Sequence, residues 1–161
     1  MLATSEISEI KNQKRITKAI YLSLILGQIL FFIIVMFLIQ NNKTEGSKNI
    51  DTIFTFLIPM FGLLMMFTSR LIYSQMIPKF DSSSSLLQKL THYRTVKIIS
   101  WAMIEGACIL SLVATILTSN YLYVAVFILL FGYFFLMRPS TESLIRDMRL
   151  NSEESDLILK S

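Results

Sequence analysis

Of the side chains here that could do chemistry, Glu105 stands apart. It lies within the run Ile98-Ile99-Ser100-Trp101-Ala102-Met103-Ile104-Glu105-Gly106-Ala107-Cys108-Ile109-Leu110, about two helical turns into an apolar stretch. An ionised carboxylate at that depth in a bilayer costs at least ~2.5 kcal/mol, so an intramembrane acid marks a position with a task. Three tasks fit: a structural ion pair or hydrogen bond, the binding of a proton or cation, or a contact with another subunit. One counter-charge is in range. Arg70 stands near the end of the preceding apolar run, and on adjacent antiparallel helices its height would differ from that of Glu105 by several Å, within the reach of an arginine.

Other reactive groups are sparse. The chain has one histidine, His92, and one cysteine, Cys108, and no aspartate falls inside its apolar runs. That leaves no catalytic triad, no zinc ligand set and no paired carboxylates, and no glycine-rich phosphate loop is present. Neither enzyme activity nor a cofactor or metal is expected. A single cysteine excludes an intramolecular disulfide. His92 reads as a surface or interfacial residue, not as a proton relay.

The elements that position these groups follow from composition. The 161 residues are 53% hydrophobic and 16% charged, with a mean hydropathy of +0.59. Apolar runs at 19–39, 53–73, 98–118 and 121–137 match or approach the roughly 17–25 residues that cross a bilayer. They predict an all-α integral membrane protein built as a four-transmembrane-helix bundle. Residues 1–18 form an amphipathic N-terminal segment, 19–137 the membrane domain and 138–161 a tail. The first run is longer than a signal-peptide core and lacks a small-residue cleavage site, so it is expected to remain in the mature chain.

Orientation follows from Lys and Arg, which mark cytoplasmic segments. Thirteen of the fifteen flank the runs on one side, among them Lys11, Lys14, Arg15, Lys18, Arg94, Lys97, Arg138 and Arg146. Only Lys43 and Lys48 stand on the other. Both termini are therefore expected in the cytoplasm, and the location is read as a bacterial inner membrane. The net charge of +4 is explained by topology and lipid headgroups, so no nucleic-acid partner is implied. The expected partners are the bilayer and either further copies of the chain or other membrane subunits.

Local signals refine this plan. Glu6 and Glu9 precede the basic residues of the N-terminal segment, a charge order suited to a helix lying against the membrane and running into the first span. Pro59 in mid-span predicts a kink and a candidate hinge. The turn Asp81-Ser82-Ser83-Ser84-Ser85 offers N-caps for a rod of ~34 residues, ~50 Å long, that continues through the third span. Arg138-Pro139-Ser140-Thr141 ends the fourth span and caps a short tail helix to about Leu150. Residues 151–161 are acidic and expected to fray. Trp101 and the span-end tyrosines suit an interfacial aromatic belt. At 100° per residue, Ser100, Ala107, Ser111, Ala114 and Thr118 form one small-residue stripe on the third span; together with Gly106 they are candidates for close helix packing. The third span is thus expected at the centre of the bundle or at an oligomer interface.

Spans one and three superimpose without a gap, Arg15-Ile16-Thr17-Lys18 on Arg94-Thr95-Val96-Lys97 and Gly27 on Gly106, the pattern of a repeated helical hairpin. Leu26 then stands where the later copy has Glu105. The passage from Ala102 to Ala114, an acid followed by alternating small and aliphatic residues, resembles the carboxylate helix of rotary ATPase proteolipids. That resemblance implies a small proton- or cation-coupled transporter or rotor-like subunit using Glu105. Departures are the absent glycine-rich partner helix and the long intervening loop. Over most of its length, with an Ile104-Glu105-Gly106 segment, Leu117-Thr118-Ser119-Asn120 and Arg138-Pro139-Ser140, the chain also resembles a family of small four-span bacterial inner-membrane proteins. This likeness implies the architecture and no activity. The residues themselves favour a non-enzymatic structural or accessory subunit of a membrane complex.

Overall fold

A computed structural model describes residues 2–41, 48–79 and 84–160, and helix is the only regular structure among them. Lys43 and the turn residues Asp81, Ser82 and Ser83 lie outside the described residues. Helix α1 (Leu2–Asn41) joins the polar N-terminal segment and the first span in one unbroken helix of 40 residues, ~60 Å long. Helix α2 (Lys48–Met76) continues across Pro59. The missing N–H deprives the Thr55 carbonyl of its helical donor, and the helix does not break there. A 3₁₀ turn, Ile77–Lys79, ends it.

Helix α3 (Leu86–Thr118) starts where the serine-rich turn predicts. Ser85 and Gln88 form a reciprocal capping box, with the Gln88 N–H donating to Ser85 Oγ (3.4 Å) and the Ser85 N–H to Gln88 Oε1 (3.3 Å). Its 33 residues make a rod of ~50 Å. Helix α4 (Leu122–Leu136) has only 15 residues, ~22 Å, less than a ~30 Å hydrocarbon core. Helix α5 (Thr141–Asp147), capped by Ser140, turns 72° away from it. Three helices are thus long and apolar enough to cross a membrane, and four crossings result when the bent α4–α5 pair counts as one.

Helix α3 is central. Half of its most apolar window is buried, against 17% for α1 and 11% for α2, and all three other long helices pack on it. The small-residue stripe explains this position: Ser100, Ala107, Ser111, Ala114 and Thr118 are all buried. Hydroxyls along the stripe bond back within α3, Ser111 to the Cys108 carbonyl (2.7 Å), Thr115 to Ser111 (2.9 Å) and Thr118 to Ala114 (2.8 Å). The polarity of these three is met inside the helix, and neighbours pack on a smooth surface, whereas Ser100 Oγ is buried with no hydrogen-bond partner among the described residues. Gly106 departs from the expected packing set, since it is exposed and a Cβ there would meet nothing within 4 Å. The close approach falls instead at Gly62 of α2, where a Cβ would stand 3.3 Å from Leu130 Cδ1.

Trp101 is another correction. It is fully buried, not part of an interfacial belt, and its indole N–H donates to the Met137 carbonyl (3.2 Å). Beside it the Tyr21 hydroxyl lies 3.3 and 3.1 Å from the Phe134 and Phe135 carbonyls. These two aromatics meet carbonyls at the C-terminus of the short α4, where the Phe134 carbonyl also accepts from the Met137 N–H (3.0 Å).

The polar ends are more organised than composition predicts. Helix α6 (Ser152–Lys160) forms where fraying was expected, burying Ile158 against Ile10, Leu90, Tyr93, Leu144 and Met148. Lys14 Nζ donates to the Ile158 carbonyl (2.9 Å), and Lys89 pairs with Glu154 (2.6 Å). The N-terminal part of α1, the start of α3, α5 and α6 thereby share a second small core at one end, the head. At the opposite end Asp51, in the first turn of α2, accepts from Asn120 Nδ2 (3.0 and 3.2 Å) and from the Tyr123 hydroxyl (2.7 Å). This clasp holds the α3–α4 turn, whose Ser119 adopts φ 55°.

Candidate functional site

The α2–α3 register is marked by Ser69, whose hydroxyl donates to the Ser100 carbonyl (3.1 Å). Five residues further along α3, Glu105 is ~7.5 Å deeper and rotated about 140° from Ser100. It therefore leaves the α2 side and lines a groove of about 300 Å³ between α1 and α3 with Gly27, Gln28, Phe31 and Ile109. Glu105 is half-buried, in a helix that otherwise supplies the core.

Arg70 is exposed and lines a different cleft, at the head, with Tyr73, Lys97 and Asp147. Among the described residues the ion pairs are Lys89–Glu154 and Arg146–Asp147, so the expected Glu105–Arg70 contact is not formed. Height alone allowed that pair; the rotation of α3 separates it.

Glu105 instead has Gln28 as its polar neighbour in the groove. Gln28 is 2% exposed, and neither its Nε2 nor its Oε1 has a hydrogen-bond partner among the described residues. A buried amide left unpaired costs about 1–3 kcal/mol, so the position is expensive for the chain in isolation. Gly27 on one wall and Gly106 next to Glu105 both leave open space where a side chain would stand. The groove thus offers a carboxylate acceptor, an amide donor and acceptor, and local access to backbone. Among the described residues no cluster of three or more His, Cys, Asp or Glu side chains could hold a metal.

Gln28 was missed although its signal was legible. It is the one strongly polar side chain in the interior of the first span, and the test that singled out Glu105 applies equally to it. His92 is half-buried, and its Nε2 lies 2.9 Å from the Met76 carbonyl at the end of α2, a placement that ties α3 to the α2 terminus.

No protein-family model matches the chain, and no curated protein or solved structure is significantly similar to it. Both resemblances therefore rest on the short motifs quoted for them, and function has to be argued from the groove.

Proposed function

We propose that this multi-pass membrane protein is a non-enzymatic accessory subunit whose α1–α3 groove receives a transmembrane helix of a second subunit. The observation that carries this reading is the Gln28 amide, buried and unpartnered beside an intramembrane carboxylate. A helix entering the groove would hydrogen-bond to Gln28 and Glu105, and Gly27 and Gly106 would let its backbone come close. Interhelical polar contacts of this kind contribute about 0.6–2 kcal/mol each in membranes, enough in pairs to select a partner. The groove holds both a donor and an acceptor, so it is complementary to a second copy of itself as well as to another subunit with the same groups. Head residues rich in Lys and Arg support a cytoplasmic head in a bacterial inner membrane.

A photo-crosslinking amino acid at Ile109, on the groove, and at Phe56, on the exposed face of α2, tests this in native membranes. A discrete adduct from Ile109 that is absent from Phe56 and lost in Glu105→Leu supports docking; its mass distinguishes a second copy from another subunit. Equal adduct patterns from both positions sink the reading.

A second reading has the same residue behind it. Glu105, without a counter-charge among the described residues, is also what an ion-coupled transporter would place in its path, with Gln28 as a further oxygen ligand. Glu105→Gln separates the two. The docking reading predicts loss of the complex, whereas the transport reading predicts intact assembly and lost proton or cation flux in vesicles. Carbodiimide labelling of Glu105 across pH, followed by mass spectrometry, reports whether the acid takes up a proton in the assembled protein. Normal assembly with normal flux removes both.

A further inference from the structure

At the head end a cleft of about 630 Å³ opens between α2, α3 and the α4–α5 corner, and its charge is one-sided. Arg70, Lys97, Arg138 and Arg146 line it against a single acid, Asp147. That acid is already engaged, its Oδ2 accepting from the Tyr73 hydroxyl and its Oδ1 from Arg146 Nε (3.1 Å). Arg70, Lys97 and Arg138 form no ion pair among the described residues. Lys97 is only 7% exposed, and its ammonium is held 4.5 Å from the Tyr73 ring centroid and 5.4 Å from that of Tyr93. Aromatic faces moderate a buried cation without neutralising it. Cations from three separate elements thus converge on one hollow that holds a single, already engaged acid.

We infer that this cleft binds the phosphate of an anionic phospholipid headgroup. The chemistry it recognises is a phosphate ester, and the setting selects lipid over free phosphate. The same cleft is lined by Leu136, which is 80% exposed, and Tyr133, so an apolar rim at the end of α4 adjoins the cations. Leu129 and Phe135 continue an exposed apolar surface along α4, on which an acyl chain can lie while its headgroup occupies the cleft. Arginine suits this role because its planar fork meets two phosphate oxygens at once. Basic hollows between helices at the membrane surface take anionic headgroups by these means. The site is separate from the α1–α3 groove and does not depend on its reading.

Native mass spectrometry of the full chain in detergent, titrated with phosphatidylglycerol or phosphatidylcholine, tests the assignment. Wild type should retain phosphatidylglycerol roughly tenfold more strongly than phosphatidylcholine. Arg70→Gln with Arg138→Gln should lose that preference, whereas the charge-matched pair Lys11→Gln with Arg15→Gln, on exposed α1 positions outside the cleft, should keep it. Equal loss in the two double variants reduces the effect to general surface charge and overturns the site. Displacement of the lipid by millimolar inorganic phosphate overturns the choice of lipid as the source. Wild-type selectivity is read without any variant, so equal retention of both lipids refutes the inference even where the cleft substitutions fail to fold.

Discussion

Asp51 shows how much a single side chain at a helix end can hold. Its carboxylate meets Asn120 and Tyr123 while standing in the first turn of α2, where the helix dipole also favours negative charge. Asp51→Ala is expected to destabilise the protein by about 2 kcal/mol, since hydrogen bonds to a charged group contribute more than neutral ones. Thermal unfolding in detergent measures this, and Asp51→Asn, which keeps one acceptor oxygen, should recover part of the loss. Neither Asp51 nor Gln28 stood out in the chain. Asp51 lies just before an apolar run and reads as a loop charge; its partners are some seventy residues away and meet it only when α2 and the α3–α4 turn are packed. Glu105 was visible, because one acid in an apolar run needs no partner to be noticed. Its neighbours were not visible, because they depend on helix rotation.

At the scale of elements, local chemistry predicted boundaries well and docking poorly. Ser85 with Gln88, and Ser140 with the Ser143 N–H (3.1 Å), are caps that a sequence displays directly, because donor and acceptor lie within three residues of each other. Ser85→Ala should cost about 1 kcal/mol and show as faster hydrogen exchange over the first turn of α3, with the interior of that helix unchanged. Helix α6 also has such a cap, the Glu154 N–H donating to Asn151 Oδ1 (2.8 Å) and the Asn151 N–H to Glu154 Oε2 (3.0 Å), yet a cap is not enough for it. Nine residues with two glutamates in the first turn are too few to hold a helix alone. Its order comes further from Ile158 in the head core, from Lys14 on the Ile158 carbonyl and from Glu154 on Lys89. Glu154→Ala leaves Lys89 substantially buried without its anion, and the expected outcome is raised exchange across 152–160 while α3 keeps its protection. Unchanged exchange there would mean that Ile158, with Lys14 on its carbonyl, suffices to anchor the helix. The fourth span was read from hydropathy at 121–137, yet α4 is too short to cross alone, because Arg138-Pro139 turns the chain where Tyr21 and Trp101 take over its last carbonyls.

For the whole molecule, the division between core and lipid surface decides what each small residue does. Ala114 is fully buried on α3 whereas Gly106 is open on the same helix. Ala114→Leu should therefore overpack the seam and lower stability by about 1–3 kcal/mol. Gly106→Ala should leave monomer stability unchanged or raise it by up to ~1 kcal/mol through helix propensity. If the groove receives a partner helix, Gly106→Ala also weakens association without loss of monomer stability, a combination that melting and crosslinking yields measured together would reveal.

Length, hydropathy and cap chemistry were sufficient to determine an all-helical multi-pass membrane protein, the long α3 rod and the start of α5, and left α3 either at the bundle centre or at an oligomer interface. Each of these depends on residues near one another in the chain or on a sum over a span. Tertiary structure alone decided which apolar side chains form the core, that Trp101 is buried, that Glu105 faces Gln28 and not Arg70, and that the polar termini share a head. The reason is physical: lipid tails are as apolar as leucine, so hydropathy carries no record of whether a residue meets lipid or protein. Only the rotation and offset of packed helices supply that information.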